Sequence, residues 1–74
     1  MRIVFTVVDP VGTAIPVDVE VAAPPGTPLA AVRDRLLRAV GRHGGRLFTR
    51  EGALSDDARL GEPPLLDGAV LTVD

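Results

Sequence analysis

Seventy-four residues without a cysteine make one small domain, 1–74, near the lower limit for an unaided core and with no disulfide or thiolate metal site. An apolar content of 46% and a charged fraction of 24% describe a globular chain rather than a disordered one. A net charge of -2 argues against general affinity for nucleic-acid phosphates, and no apolar run approaches the ~20 residues of a membrane span.

Met1-Arg2 leads straight into an apolar alternation, with no charged-then-apolar leader, so the chain reads as cytoplasmic with a native start. All eight basic residues are arginine, and Lys, Asn, Gln, Trp and Tyr are absent, a composition typical of GC-rich bacterial genomes. No side-chain lysine is present to accept an isopeptide bond.

Residues 2 to 9 alternate with period two, placing Ile3, Phe5 and Val7 on one face and Val4, Thr6 and Val8 on the other. A strand apolar on both faces is expected in the middle of a sheet. Asp9-Pro10-Val11-Gly12-Thr13 is a turn signal, since proline presets φ and glycine accepts φ > 0. Residues 15 to 21 form a second strand, with Val17, Val19 and Val21 facing one way and Asp18 and Glu20 facing water. Pro16 lacks an N–H, so this strand is expected to lie at an edge or to start there. The pair reads as a hairpin.

Ala22 to Gly26 is a rigid connector. Thr27 then suits an N-cap and Pro28 the first helical position, predicting a helix over about 28–41. Leu29, Val32, Leu36 and Val40 recur at helical spacing, with Leu37 at the flank, and Gly41 supplies a stop. Arg33, Arg35 and Arg38 form an outer stripe broken by Asp34, which can pair with Arg38 one turn on. After the loop Arg42 to Gly45 comes a short strand over 46–50 and a turn at Glu51-Gly52. Leu54 and Leu60 read as single apolar plugs under an irregular segment, in which Ser55-Asp56-Asp57 can cap a brief helical turn. Pro63-Pro64-Leu65-Leu66 leads to the turn Asp67-Gly68, and Ala69 to Val73 closes the sheet. A βαββαβ nucleic-acid fold needs a second helix of about three turns, which 51–66, with its prolines and glycines, cannot supply.

The carboxyl half, with its Gly turn, Leu54-Ser-Asp-Asp57, Leu60 and Leu65-Leu-Asp-Gly-Ala-Val-Leu71, resembles ubiquitin-like domains. That resemblance implies an α+β, ubiquitin-like β-grasp: a mixed sheet of four or five strands on one helix, with the first and last strands parallel and adjacent in the middle. The opening Met1 to Pro10 and the segment Ala23-Pro-Pro-Gly-Thr-Pro-Leu29 resemble the amino-terminal domains of actinobacterial FtsK/SpoIIIE-type ATPases, relatives of the type VII secretion motor. In those proteins such a domain often precedes a forkhead-associated domain and the motor domains. The expected core is Ile3, Phe5, Val17, Val19, Leu29, Val32, Leu36, Leu47, Leu54, Leu60, Leu71 and Val73.

Chemistry-bearing residues are sparse. His43 is the only histidine and Ser55 the only serine, with no assignable second ligand or nucleophile–base pair. Arg42, His43 and Arg46 around Gly44-Gly45 could form an anion nest, but the helix C-terminus before them carries partial negative charge that arginines complement. Asp56-Asp57 lacks the spacing of a calcium loop. Ubiquitin and the sulfur carriers act through a carboxyl-terminal Gly-Gly tail, whereas this chain stops at Leu71-Thr-Val-Asp74 and its Gly44-Gly45 is internal. The expectation is no catalysis, no cofactor and no metal.

Phe48 is the candidate that remains. If Leu47 faces the core, alternation sends Phe48 to the open sheet face, and Leu71 and Val73 likewise send Val70 and Thr72 outward. The opposite register buries Phe48. In ubiquitin-like domains these strand positions carry a recognition patch, which here would comprise Phe48, Val70 and Thr72, rimmed by Arg46 and Arg50. The expected partner is a protein or a neighbouring domain, without nucleic-acid binding or membrane insertion. The resemblance therefore implies a non-catalytic interaction or regulatory domain at the front of a larger ATPase. A free-standing ubiquitin-like secretion-system protein, or a carrier with a missing Gly-Gly tail, are the alternatives.

Overall fold

The computed structural model describes residues 1–11 and 15–74; Gly12 and Thr13, part of the expected first turn, lie outside the described residues. Strands β1 (Arg2–Val8) and β2 (Val17–Ala22) pair antiparallel as a hairpin. A 3-10 turn (Leu29–Ala31) leads into helix α1 (Arg33–Ala39), followed by β3 (Leu47–Thr49), β4 (Gly52–Ala53) and β5 (Val70–Val73). The sheet order is β2-β1-β5-β3-β4, with β1 and β5 parallel and β3 antiparallel to β5 and β4. This is an α+β fold with the β-grasp order, and β5 lies at its centre. β2 lies at one edge and starts directly after Pro16, in keeping with the expectation of an edge or a strand start there.

One face of the sheet carries the core. Ile3, Phe5 and Val7 of β1, Val21 of β2, Leu47, Leu71 and Val73 pack against Leu29, Val32, Leu36 and Leu37, with Leu60 and Leu65 closing the far side. Val17, Val19 and Leu54, expected in the core, are only half-buried, since β2 and the segment after β4 lie at the sheet margins. Val7, Val21, Leu37 and Leu65 complete it in their place.

The helical segment differs most from expectation. Thr27 does not cap it: the Thr27 hydroxyl donates to Pro24 O (2.6 Å), and Pro28 stays extended at φ -69°, ψ 148°. Pro28 instead forms a β-bridge with Arg59. The first free N–H groups, on Leu29 and Ala30, donate to the carbonyls of Ala58 (2.7 Å) and Asp56 (3.1 Å). A tertiary clamp thus replaces the side-chain cap, and the regular helix is confined to Arg33–Ala39. Its end is as expected: Gly41 has φ 76°, Gly41 N–H donates to Arg38 O (3.0 Å) and Arg42 N–H to Leu37 O (2.9 Å). These two bonds are a Schellman closure, which glycine permits because it has no Cβ. Asp34 and Arg38 are not among the ion pairs of the described residues. The helical turn expected near Ser55 is a hydrogen-bonded turn instead, in which Asp57 N–H donates to Ser55 Oγ (3.1 Å) and Ala58 N–H to Ser55 O (3.0 Å).

Asp67-Gly68 does more than reverse the chain. Gly68 N–H donates to Val4 O (2.8 Å), and the Asp67 carboxylate accepts from Val4 N–H (2.8 Å). The turn therefore ties into β1 and positions β5 alongside it. No helix among the described residues is long and apolar enough to cross a membrane.

Candidate functional site

The register of β3 against β5 decides which side chains leave the core. Leu47 opposes Val73 and Phe48 opposes Thr72, and Arg46 and Asp74 exchange both main-chain bonds (3.3 and 3.0 Å), which continues the ladder by one residue. Leu47 and Leu71 are buried, so Phe48, Val70 and Thr72 belong to the opposite face. Across the sheet Thr6 opposes Val70 and Val8 opposes Thr72, which extends that face through Val4, Thr6 and Val8. On this face Val70 is 56% exposed and Val4 37%.

Beyond the Phe48–Thr72 pair β3 has no further partner on β5, and the gap opens as a cleft of about 630 Å³. Thr49, Arg50 and Glu51 form one wall; Pro64, Ala69, Val70 and Thr72 form the other. The turn holding Arg50 is closed by Glu51 N–H donating to Thr49 Oγ1 (3.2 Å). Three of the five sequence-predicted site residues, Arg50, Val70 and Thr72, thus line one cleft. Phe48 adjoins it through its partner Thr72 but is half-buried, facing Ala53 of β4 on its other side. Arg46 lies apart and lines a smaller hollow of about 280 Å³ at the β3–β4 margin, with Arg33, Leu54 and Asp56.

The remaining polar candidates lie elsewhere in the molecule. Arg42 is 3.6 Å from the carboxylate of buried Asp9, so it is engaged inside the molecule rather than offered to an anion. Gly45 has φ 132°, and a Cβ there would lie 2.7 Å from Asp74 O. Its place in a Gly-Gly pair thus answers a close approach of two backbones. Asp56 joins Arg33 at 3.1 Å on the surface, and His43 is exposed. Among the described residues no group of three or more histidine and carboxylate side chains is placed to hold a metal ion.

Sequence reasoning missed Asp9 as a buried anchor, and it missed Pro64, Ala69 and the Glu51 turn as walls of the cleft. The alternation that sends Phe48 outward also signals Val4 and Val8, which face the same side. No known family model matches the chain, and no curated protein matches it.

Proposed function

We propose that this chain is a non-catalytic, ubiquitin-like protein-interaction or regulatory domain that docks its partner on the open sheet face around Phe48, Val70 and Thr72. The observation carrying this reading is the exposure of Val70 beside a cleft that also presents Arg50. An aliphatic floor with an arginine at its margin is a composition that protein interfaces favour. The resemblance of Met1 to Pro10 and of Ala23 to Leu29 supports a finer reading: a cytoplasmic amino-terminal part of an FtsK/SpoIIIE-type ATPase in type VII-like secretion. ATP hydrolysis would then belong to other domains, and the partner would be a neighbouring domain or a secretion component.

Val70→Asp is the cleanest probe, because it places charge on the face without touching the core. It should cost about 1 kcal/mol, the span of strand propensity, and leave the chain folded. Immobilised wild-type and Val70→Asp domains are compared for capture of proteins from a cell lysate, alongside thermal unfolding of each. The expected result is a protein retained by wild type and lost by the variant while both chains remain folded at the temperature of the assay. Identical capture by both would remove this face from consideration.

A further inference from the structure

The opposite margin of the sheet carries an observation independent of that face. Among the described residues β2 has β1 on one side and no strand on the other. Its hydrogen-bond phase follows from the open end of the hairpin, where the Met1 amino group donates to Ala23 O (2.7 Å) and Ala23 N–H to Met1 O (3.0 Å). In an antiparallel ladder, doubly bonded pairs alternate with unbonded ones. The register then makes Ile3–Val21, Phe5–Val19 and Val7–Val17 the bonded pairs. Bonds from Gly68 N–H to Val4 O (2.8 Å) and from Thr6 N–H to Ala69 O (2.9 Å) agree, directing the even residues of β1 towards β5. Asp18, Glu20 and Ala22 therefore turn their N–H and C=O groups away from the sheet. Among the described residues no main-chain group bonds to them.

Two of these three residues are acids, and all three are exposed. Asp18 Oδ1 accepts from the Thr6 hydroxyl (2.8 Å), and Glu20 lies 3.5 Å from Arg2 with both side chains more than half exposed. Such contacts are weak and exchangeable, so both carboxylates remain open to a new partner. Pro16 before the strand and Pro24-Pro25 after it have no N–H, which confines any added ladder to the stretch between them.

This arrangement refuses a second copy. Antiparallel pairing of β2 with itself would set Glu20 against its own copy, or Asp18 against Glu20, and directly opposed like charges destabilise a sheet. The same geometry rewards basic side chains opposite those acids. Residues between them would fall on the helix side, over Val17 and Val19, which the edge leaves half-buried. We infer that the β2 edge docks an extended strand of a partner protein in which Lys or Arg alternates with aliphatic residues.

The probe is the blocked hexapeptide Thr-Lys-Val-Lys-Val-Thr, titrated at low salt into the ¹⁵N-labelled chain. Thr-Glu-Val-Glu-Val-Thr and the reordered Thr-Lys-Lys-Val-Val-Thr serve as controls. The alternating basic peptide should bind about tenfold more tightly than either control, the scale expected of two cross-strand charge pairs, and should slow exchange of the Asp18, Glu20 and Ala22 amides. The double variant Asp18→Lys/Glu20→Lys should reverse the preference between basic and acidic peptides. Asp18→Thr/Glu20→Thr, which keeps strand propensity, should erase it. Equal binding of the three peptides by wild type, or protection that maps to β3 and β5 instead of β2, would overturn the inference.

Discussion

Asp9 is 1% exposed, and its carboxylate holds the end of β1 to the chain leaving α1. It accepts from Val11 N–H (3.1 Å) and faces Arg42 at 3.6 Å, where the arginine side chain keeps 30% of its exposure. Removing the carboxylate strands a main-chain donor and the guanidinium together. Asp9→Ala should therefore cost about 1–3 kcal/mol, read as a lower denaturant midpoint. Arg42→Met should cost a comparable amount, because it takes the cation 3.6 Å away from a carboxylate that stays buried. A double-mutant cycle should give a coupling of about 0.5 kcal/mol or more; strictly additive losses would show that the two do not act together. Sequence alone assigns Asp9 to a turn, which its pairing with proline justifies. Its burial depends on Arg42, a distant residue along the chain, through a contact that no local pattern announces.

Glycine substitutions separate two reasons for the same residue at the element scale. Gly41 has φ 76°, and a Cβ added there would meet nothing within 4 Å, so Gly41→Ala meets only backbone strain. The cost should be about 1 kcal/mol. Gly45 has φ 132° and would also drive its Cβ to 2.7 Å from Asp74 O, forcing β3 and β5 apart at their shared end. Gly45→Ala should therefore lose clearly more stability than Gly41→Ala; equal losses in chemical denaturation would contradict that account of the loop. Leu36→Ala tests the helix face. It should cost roughly 2–5 kcal/mol, much of the ~5–15 kcal/mol that holds a domain, and a loss below about 1 kcal/mol would mean the face is misassigned.

These elements also mark how far the sequence is legible. Period-two alternation identifies β1 and β2, Pro16 marks where β2 starts, and Gly41 identifies the helix end, because each signal acts within a few residues. The helix start is not legible in the same way. Thr27-Pro28 has the chemistry of a cap, but the carbonyls of Asp56 and Ala58 take the first free N–H groups, and Pro28 joins Arg59 in a bridge. A long-range contact overrides a local preference there, which shortens α1 to seven residues. Leu65 is hidden for a related reason: a proline-flanked Leu-Leu pair has no period to show which member turns inward.

For the molecule as a whole, the two faces of the sheet differ. Its inner face, with α1 and the Leu60–Leu65 segment, holds the fold; its outer face leaves Val4 and Val70 exposed, with a cleft beside Val70. The candidate patch is legible as far as strand alternation reaches, which covers Phe48, Val70 and Thr72. The cleft beside β3 and the hollow that Arg46 shares with Arg33 bring together residues distant in the chain, which alternation within one strand does not show. On the proposed function, this outer face recognises a protein. Amide shift mapping of the ¹⁵N-labelled chain, titrated with the protein captured by wild type but not by Val70→Asp, tests it most directly. The largest changes are predicted at Phe48, Arg50, Val70 and Thr72, with α1 unaffected. Changes centred on Arg35 and Arg38, with β3 and β5 silent, would contradict it.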